Sequence, residues 1–148
     1  MLHGHFKIEA HPSLVIGGLW LPAFSGDGEY RNRRLYMCLP NNGPIPVGTY
    51  YIVDRRSGGR LGGINDALKR DWFALYAKDK VVDDERWCAG VQRGQFRLHP
   101  KGPRGLSQGC ITLERQEDFV RLRDLLRCTT RETIPGTDLT TYGMLVVS

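Results

Sequence analysis

No apolar run in this chain comes near the roughly 20 residues of a membrane-crossing helix, and the opening MLHGHFKIEAHP is too polar and acidic for a secretory leader. The sequence is therefore expected to insert in no membrane and to carry no address that a cleavable-signal route would read. Cysteine is scarce: Cys38, Cys88, Cys110 and Cys128 lack CxxC spacing, so neither a disulfide scaffold nor a clustered zinc site is indicated. Four buried, reduced thiols are the plain expectation, with one bridge among Cys38, Cys88 and Cys128 open to a chain working in an oxidising compartment. Lysine is scarce too, since 16 of the 21 basic residues are arginine. Those arginines are interleaved with acids and form no basic block, which argues against nucleic-acid binding but suits carboxylates or phosphates. There is no internal repeat, and the glycine-rich SGGRLGG is followed by no GK[ST], which excludes a phosphate-binding loop.

What remains is ordinary globular material. The 148 residues suffice for one domain with its own core, and 41% hydrophobic against 25% charged residues is typical of such domains. Alternation and β-branched content predict strands in FKIEA, in LVIGGLWLPAF broken at Gly17 and Gly18, in RLYMCLP, TYYIV, WFALYA, GQFRLHP and the closing TYGMLVV. SGDGEYRN reads as turns and KDKVVDDERW as a polar connection. Pro44 and Pro46 belong to a loop or sheet edge, because proline cannot donate to a central ladder. INDALKRD predicts a short helix. The clearest helix lies in LERQEDFVRLRDLLRC, where Phe119, Leu122, Leu125 and Leu126 share one face, Thr112 is a candidate cap and acidic residues fill the first turn. The fold class expected is α+β, mainly β, with one main helix directly after Cys110, as a single unit over residues 1–148.

The stretch FRLHPKGPRGLSQGCITL carries the chemistry. His99 and Cys110 flank Pro100, Gly102, Pro103, Gly105 and Gly109, which forbid an extended path and favour two neighbouring strands joined by a loop that folds back. Taken singly, a His–Pro is usually a loop residue and a lone cysteine is usually packing. Together they form a nucleophile and base: an adjacent imidazole makes thiolate available and can later protonate a leaving amine. Gly109 lets the backbone approach a substrate. Amides around Gln108, Gly109 and Cys110 can face a developing oxyanion, and Ser107 can orient the imidazole.

HPKGPRGLSQGCITL resembles the signature of the L,D-transpeptidase (YkuD-like) superfamily, in which a histidine precedes a Ser-His-Gly-Cys block. LPAFSGDGEYRN and NNGPIPVGTYYIV resemble the small branch of that superfamily found among peptidoglycan-targeting effectors of type VI secretion. The likeness runs from about Leu14 to the end of the chain. It implies an L,D-transpeptidase-like β-sandwich or β-rich catalytic domain. It also implies acyl transfer on peptidoglycan stem peptides, by Cys110 as nucleophile and His99 as base, with Ser107 and Gly109 shaping the site and no cofactor. The same resemblance implies delivery, without a signal peptide, into the periplasm of a target bacterium, and a cognate immunity protein and secretion machinery as partners. Two positions depart from the pattern. Gln108 stands where the block has its histidine, leaving His99 as base, and ITL replaces the arginine often found after the cysteine. Arg97 or Arg104 would then hold a substrate carboxylate.

Other groups are plainer. His3, His5 and His11 read as solvated residues of a mobile end and not as metal ligands, and no metal is expected. Asp83, Asp84 and Glu85 read as a solvated loop. Tyr50, Tyr51, Trp72, Phe73 and Tyr76 read as core or sheet face, and Trp20 and Trp87 carry no signal. A papain-like wall hydrolase is disfavoured because no histidine follows Cys110. A non-catalytic module binding anionic wall polymer is the remaining rival.

Overall fold

The structure, a computed structural model, describes residues 1–55, 72–102 and 109–148. Eight strands close into a barrel. In order around the ring they are β1 (Leu2–Phe6), β12 (Gly143–Val147), β4 (Gly48–Asp54), β5 (Phe73–Ala77), β8 (Arg97–Pro100), β9 (Ile111–Leu113), β3 (Leu19–Phe24) and β2 (Ser13–Ile16). Two hairpins stand apart from the ring: β6 (Glu85–Cys88) with β7 (Val91–Gly94), and β10 (Glu132–Thr133) with β11 (Thr140–Thr141). The helix α1 spans Gln116–Arg127. A mainly β domain with one substantial helix directly after Cys110 is thus what the described residues form.

The barrel follows from alternation. Side chains of a strand point to opposite faces, so Tyr50 and Ile52 of β4 enter the interior with Phe73, Leu75, Leu98, Ile111 and Leu145, all buried in one cluster. Tyr51 and Val53 turn outward and are buried with Ala74 and Tyr76 under Ile134 and Leu139. Phe119, Leu122 and Leu126 of α1 join the interior cluster, as their helical spacing predicts, while Leu125 is only half-buried. Glu117 and Asp118 occupy the first turn of α1, where the dipole favours negative charge.

Several sequence expectations are corrected. The N-terminus is not a mobile end: β1 pairs in parallel with β12 and antiparallel with β2, and His5 Nε2 lies 2.8 Å from Ser148 Oγ. Its alternation is masked by Gly4, which faces inward where an added Cβ would stand 3.1 Å from both Ile16 and Leu145. RLYMCLP forms a 3-10 turn at Arg34–Tyr36 and no strand, because its downstream carbonyls are drawn to a side chain described below. Thr112 does not cap α1. It lies within β9, and the helix opens after Arg115. Glu85–Trp87, assigned to a polar connection, pair in β6. INDALKRD and SGGRLGG lie outside the described residues. TYYIV, WFALYA and the Gly17–Gly18 hairpin turn between β2 and β3 are as expected.

Tyr50 shows how the interior is tuned. Its hydroxyl donates to the Pro46 carbonyl at 2.7 Å and accepts from Arg86 Nη1 at 3.0 Å. Burial, against the opposing pull of Arg86, pushes the phenol from 10.0 up to about 12. The neutral form is thus favoured in the fold, so this contribution to stability is complete below pH 10 and is lost as pH rises through about 12. In urea unfolding across that window, the wild-type midpoint is expected to fall more steeply than that of Tyr50→Phe; parallel declines would contradict the assignment.

Candidate functional site

His99 and Cys110 are brought together by a parallel strand pair. β8 and β9 run in register Leu98↔Ile111 and His99↔Thr112. A parallel pair has its two strands entering from the same end, so His99 on β8 and Cys110 directly before β9 belong to adjacent strands and do not face each other across a hairpin. Leu98 and Ile111 have no exposure inside the barrel, so Arg97, His99 and Thr112 take the opposite face. Cys110, two residues before Thr112, continues on that same side. Cys110 and His99 are 8% and 5% exposed, and Cys110 lines a cavity of about 530 Å³ together with Trp72, Asp84, Arg93 and Arg97. The thiol is shielded but opens onto space that can hold a substrate.

The imidazole is fixed on three sides. Nδ1 lies 2.8 Å from the Pro100 carbonyl, which can only accept, so Nδ1 carries the proton. Nε2 then keeps its lone pair and turns toward β9, where Thr112 Oγ1 stands 3.4 Å away. Trp72 stacks on the ring with centroids 4.2 Å apart and planes at 17°. The result is a histidine whose Nε2 faces the strand that directly follows Cys110. Such a nitrogen can take the proton of a thiol and return it to a leaving group.

Arg97 reaches the cavity already engaged. Its guanidinium grips Asp84 through two parallel bonds of 2.7 and 2.6 Å and also donates to the Phe96 carbonyl. Asp84 is therefore an ion-pair partner and not merely part of a solvated acidic loop. Arg104, Ser107 and Gln108 lie outside the described residues. Gly109 adopts φ +84°, and an added Cβ would fall 2.4 Å from Arg93 Nη2 and 2.9 Å from the Phe96 ring. The close approach that Gly109 permits is thus made by Arg93.

Arg93 was invisible in the sequence, one arginine among 16. It sits on β7, which joins β6 through Ala89 and Gly90, both at positive φ as a tight hairpin turn requires. Cys88, Arg86 and Arg93 share the inner face of this hairpin, leaving Trp87 exposed. Arg93 is 5% exposed and donates to the carbonyls of Met37, Gly43 and Pro44. These bonds account for the 3-10 turn where a strand was expected. They also explain the GPIPVG segment, residues 43–48. Pro46 accepts from Tyr50, and the Ile45 amide donates to Ser25 Oγ at 2.8 Å. At Gly48, an added Cβ would meet the Arg86 guanidinium at 2.3 Å. Cys38 and Cys88 form a disulfide, Cα atoms 5.2 Å apart, which staples this segment to the hairpin. The expectation of reduced, buried thiols is thus corrected for Cys38 and Cys88, and Cys128 is exposed. Among the described residues, no group of three or more His, Cys, Asp or Glu is placed to hold a metal.

The strand pair, the Ser25 turn and the 43–48 segment fall within one family match. The model of the Tlde1 domain covers residues 20–137. The chain therefore belongs to the Tlde1 family, type VI secretion effectors of the kind that acts on the cell wall. No curated protein matches the chain.

The disulfide closes a loop of 50 residues, for which the chain-entropy contribution is on the order of 4 kcal/mol. Reduction by a phosphine, or the Cys38→Ala/Cys88→Ala double variant, is expected to lower unfolding stability by about 2–4 kcal/mol in urea titrations. An unchanged midpoint would show that the staple carries no stability.

Proposed function

We propose that the protein is a cysteine-dependent acyl-transfer enzyme on peptidoglycan stem peptides, with Cys110 as nucleophile and His99 as base. One observation carries the reading: the imidazole on β8, its Nδ1 held by the Pro100 carbonyl, turns Nε2 to β9, the strand that directly follows Cys110, and Cys110 lines a cavity. Family membership supplies the setting, an effector acting on the wall of another cell. On this reading the barrel is this family's form of the L,D-transpeptidase domain, and the whole chain works as one catalytic unit.

The reaction runs in two halves. His99 Nε2 takes the Cys110 proton, and Sγ bonds to the carbonyl carbon of the third stem residue, diaminopimelate. The tetrahedral oxyanion is met by amides at Gly109 and Cys110, with Ser107 and Gln108 completing the wall. The C–N bond to D-alanine breaks as His99 delivers its proton to the leaving amine, and a thioester remains. Water, deprotonated by His99, then attacks the thioester; the C–S bond breaks and a tripeptide leaves. A D-amino acid amine in place of water gives exchange, and another stem gives a cross-link. Arg97 and Arg104 are the side chains proposed to hold the substrate carboxylate, Arg97 while bound to Asp84.

The disulfide between Cys38 and Cys88 suits an oxidising compartment such as the periplasm. The partners that follow are the secretion machinery that delivers the protein and an immunity protein in the producer. Incubation with purified tetrapeptide muropeptides and free D-methionine is expected to release D-alanine and to yield tripeptide or D-methionine product by mass. Cys110→Ala and His99→Ala should each reduce turnover by about a thousandfold or more. Full activity in both variants would overturn the assignment.

A further inference from the structure

Resting on that reading, we propose that Arg93, on β7, is the fixed cation that stabilises the Cys110 thiolate. The geometry is specific. Arg93 Nη2 packs against the backbone of Gly109, so closely that a Cβ there would stand 2.4 Å from it, and Gly109 directly precedes the nucleophile. Arg93 and Cys110 line the same cavity. Within β9, Ile111, Thr112 and Leu113 carry no charge.

Arg93 is held for electrostatics and not for ion pairing. Its bonds go to three backbone carbonyls, those of Met37, Gly43 and Pro44, which orient the guanidinium without neutralising it. Among the described residues no carboxylate pairs with it. Burial works against its charge, while Tyr50 and then Cys110 work in its favour, and Cys110 acts in the same sense on Arg97. The other charged or titratable groups around Cys110 are differently disposed. Arg97 has its charge matched by Asp84, His99 holds Nδ1 against the Pro100 carbonyl, and Arg55 and Glu85 lie along the cavity wall. A buried cation beside a thiol favours ionisation, and an opposite charge within about 4–6 Å is worth about 1–3 pH units.

The test reads thiolate directly, independent of turnover. Alkylation of Cys110 by iodoacetamide is followed against pH by peptide mass, with exposed Cys128 as an internal control in the same chain. Arg93→Gln is expected to raise the Cys110 midpoint by about one pH unit or more, a loss of about tenfold in rate at neutral pH, with Cys128 unmoved. Arg93→Lys should restore part of the shift. In the unmodified chain, Cys110 should also prefer anionic iodoacetate over iodoacetamide more strongly than free cysteine does, and Arg93→Gln should abolish that preference. The unmodified comparison stands even where the variant folds poorly. An unchanged midpoint in Arg93→Gln with the Cys38–Cys88 bridge intact, or no iodoacetate preference in the unmodified chain, would overturn the proposal while leaving the acyl-transfer reading in place. A Cys110 that resists alkylation at every pH would overturn both.

Discussion

The parallel pairing of β8 with β9 is the constraint from which the site follows. With Leu98 opposite Ile111 and both committed to the barrel interior, His99 and Thr112 have no choice of face. A slip of one residue would send the imidazole into hydrocarbon and Leu98 to the cavity side, at a cost of several kcal/mol of lost burial. The hydrophobic interior thus fixes the face on which His99 and Thr112 stand. The polar partners then refine it: the Pro100 carbonyl sets the tautomer and Trp72 sets the ring plane.

Around this pair the molecule builds a second frame from groups that look unrelated in sequence. Arg93 gathers the carbonyls of the 37–44 segment, the Cys38–Cys88 bridge ties that segment to β6, and Arg86 reaches Tyr50 from the same hairpin face. The hairpin is consequently locked to the barrel by charge, sulfur and an aromatic hydroxyl at once. One of these anchors, Arg93, also reaches Gly109, the residue before Cys110, where an added Cβ would stand 2.4 Å from its Nη2. In this frame, a toxin assembled before its bridge has closed would lack part of its cavity wall.

Much of this was legible beforehand. Alternation in TYYIV and WFALYA, helical spacing in α1 and the glycine turn at Gly17–Gly18 each express a local rule that the fold leaves intact. The neighbouring placement of the strand that carries His99 and the strand that follows Cys110 was also legible, because turn formers fill the stretch between them. What sequence did not show has a common cause. The N-terminal strand hid behind Gly4, whose missing side chain is a response to Ile16 and Leu145. RLYMCLP has strand composition, but its Met37 carbonyl serves Arg93, 56 positions away. Thr112 looked like a cap by position and became a partner of His99 by register. Trp72, Asp84 and Arg93 enter the site through tertiary contacts that leave no periodic trace.

The central claim is that the sulfur at position 110 carries the acyl group in the middle of the reaction. Rapid quenching of the protein with tetrapeptide muropeptide, followed by intact and peptide mass measurement, tests it most directly. The account predicts a transient adduct, sensitive to hydroxylamine, on the peptide that contains Cys110. Turnover without any adduct, or an adduct confined to Cys128, would contradict it.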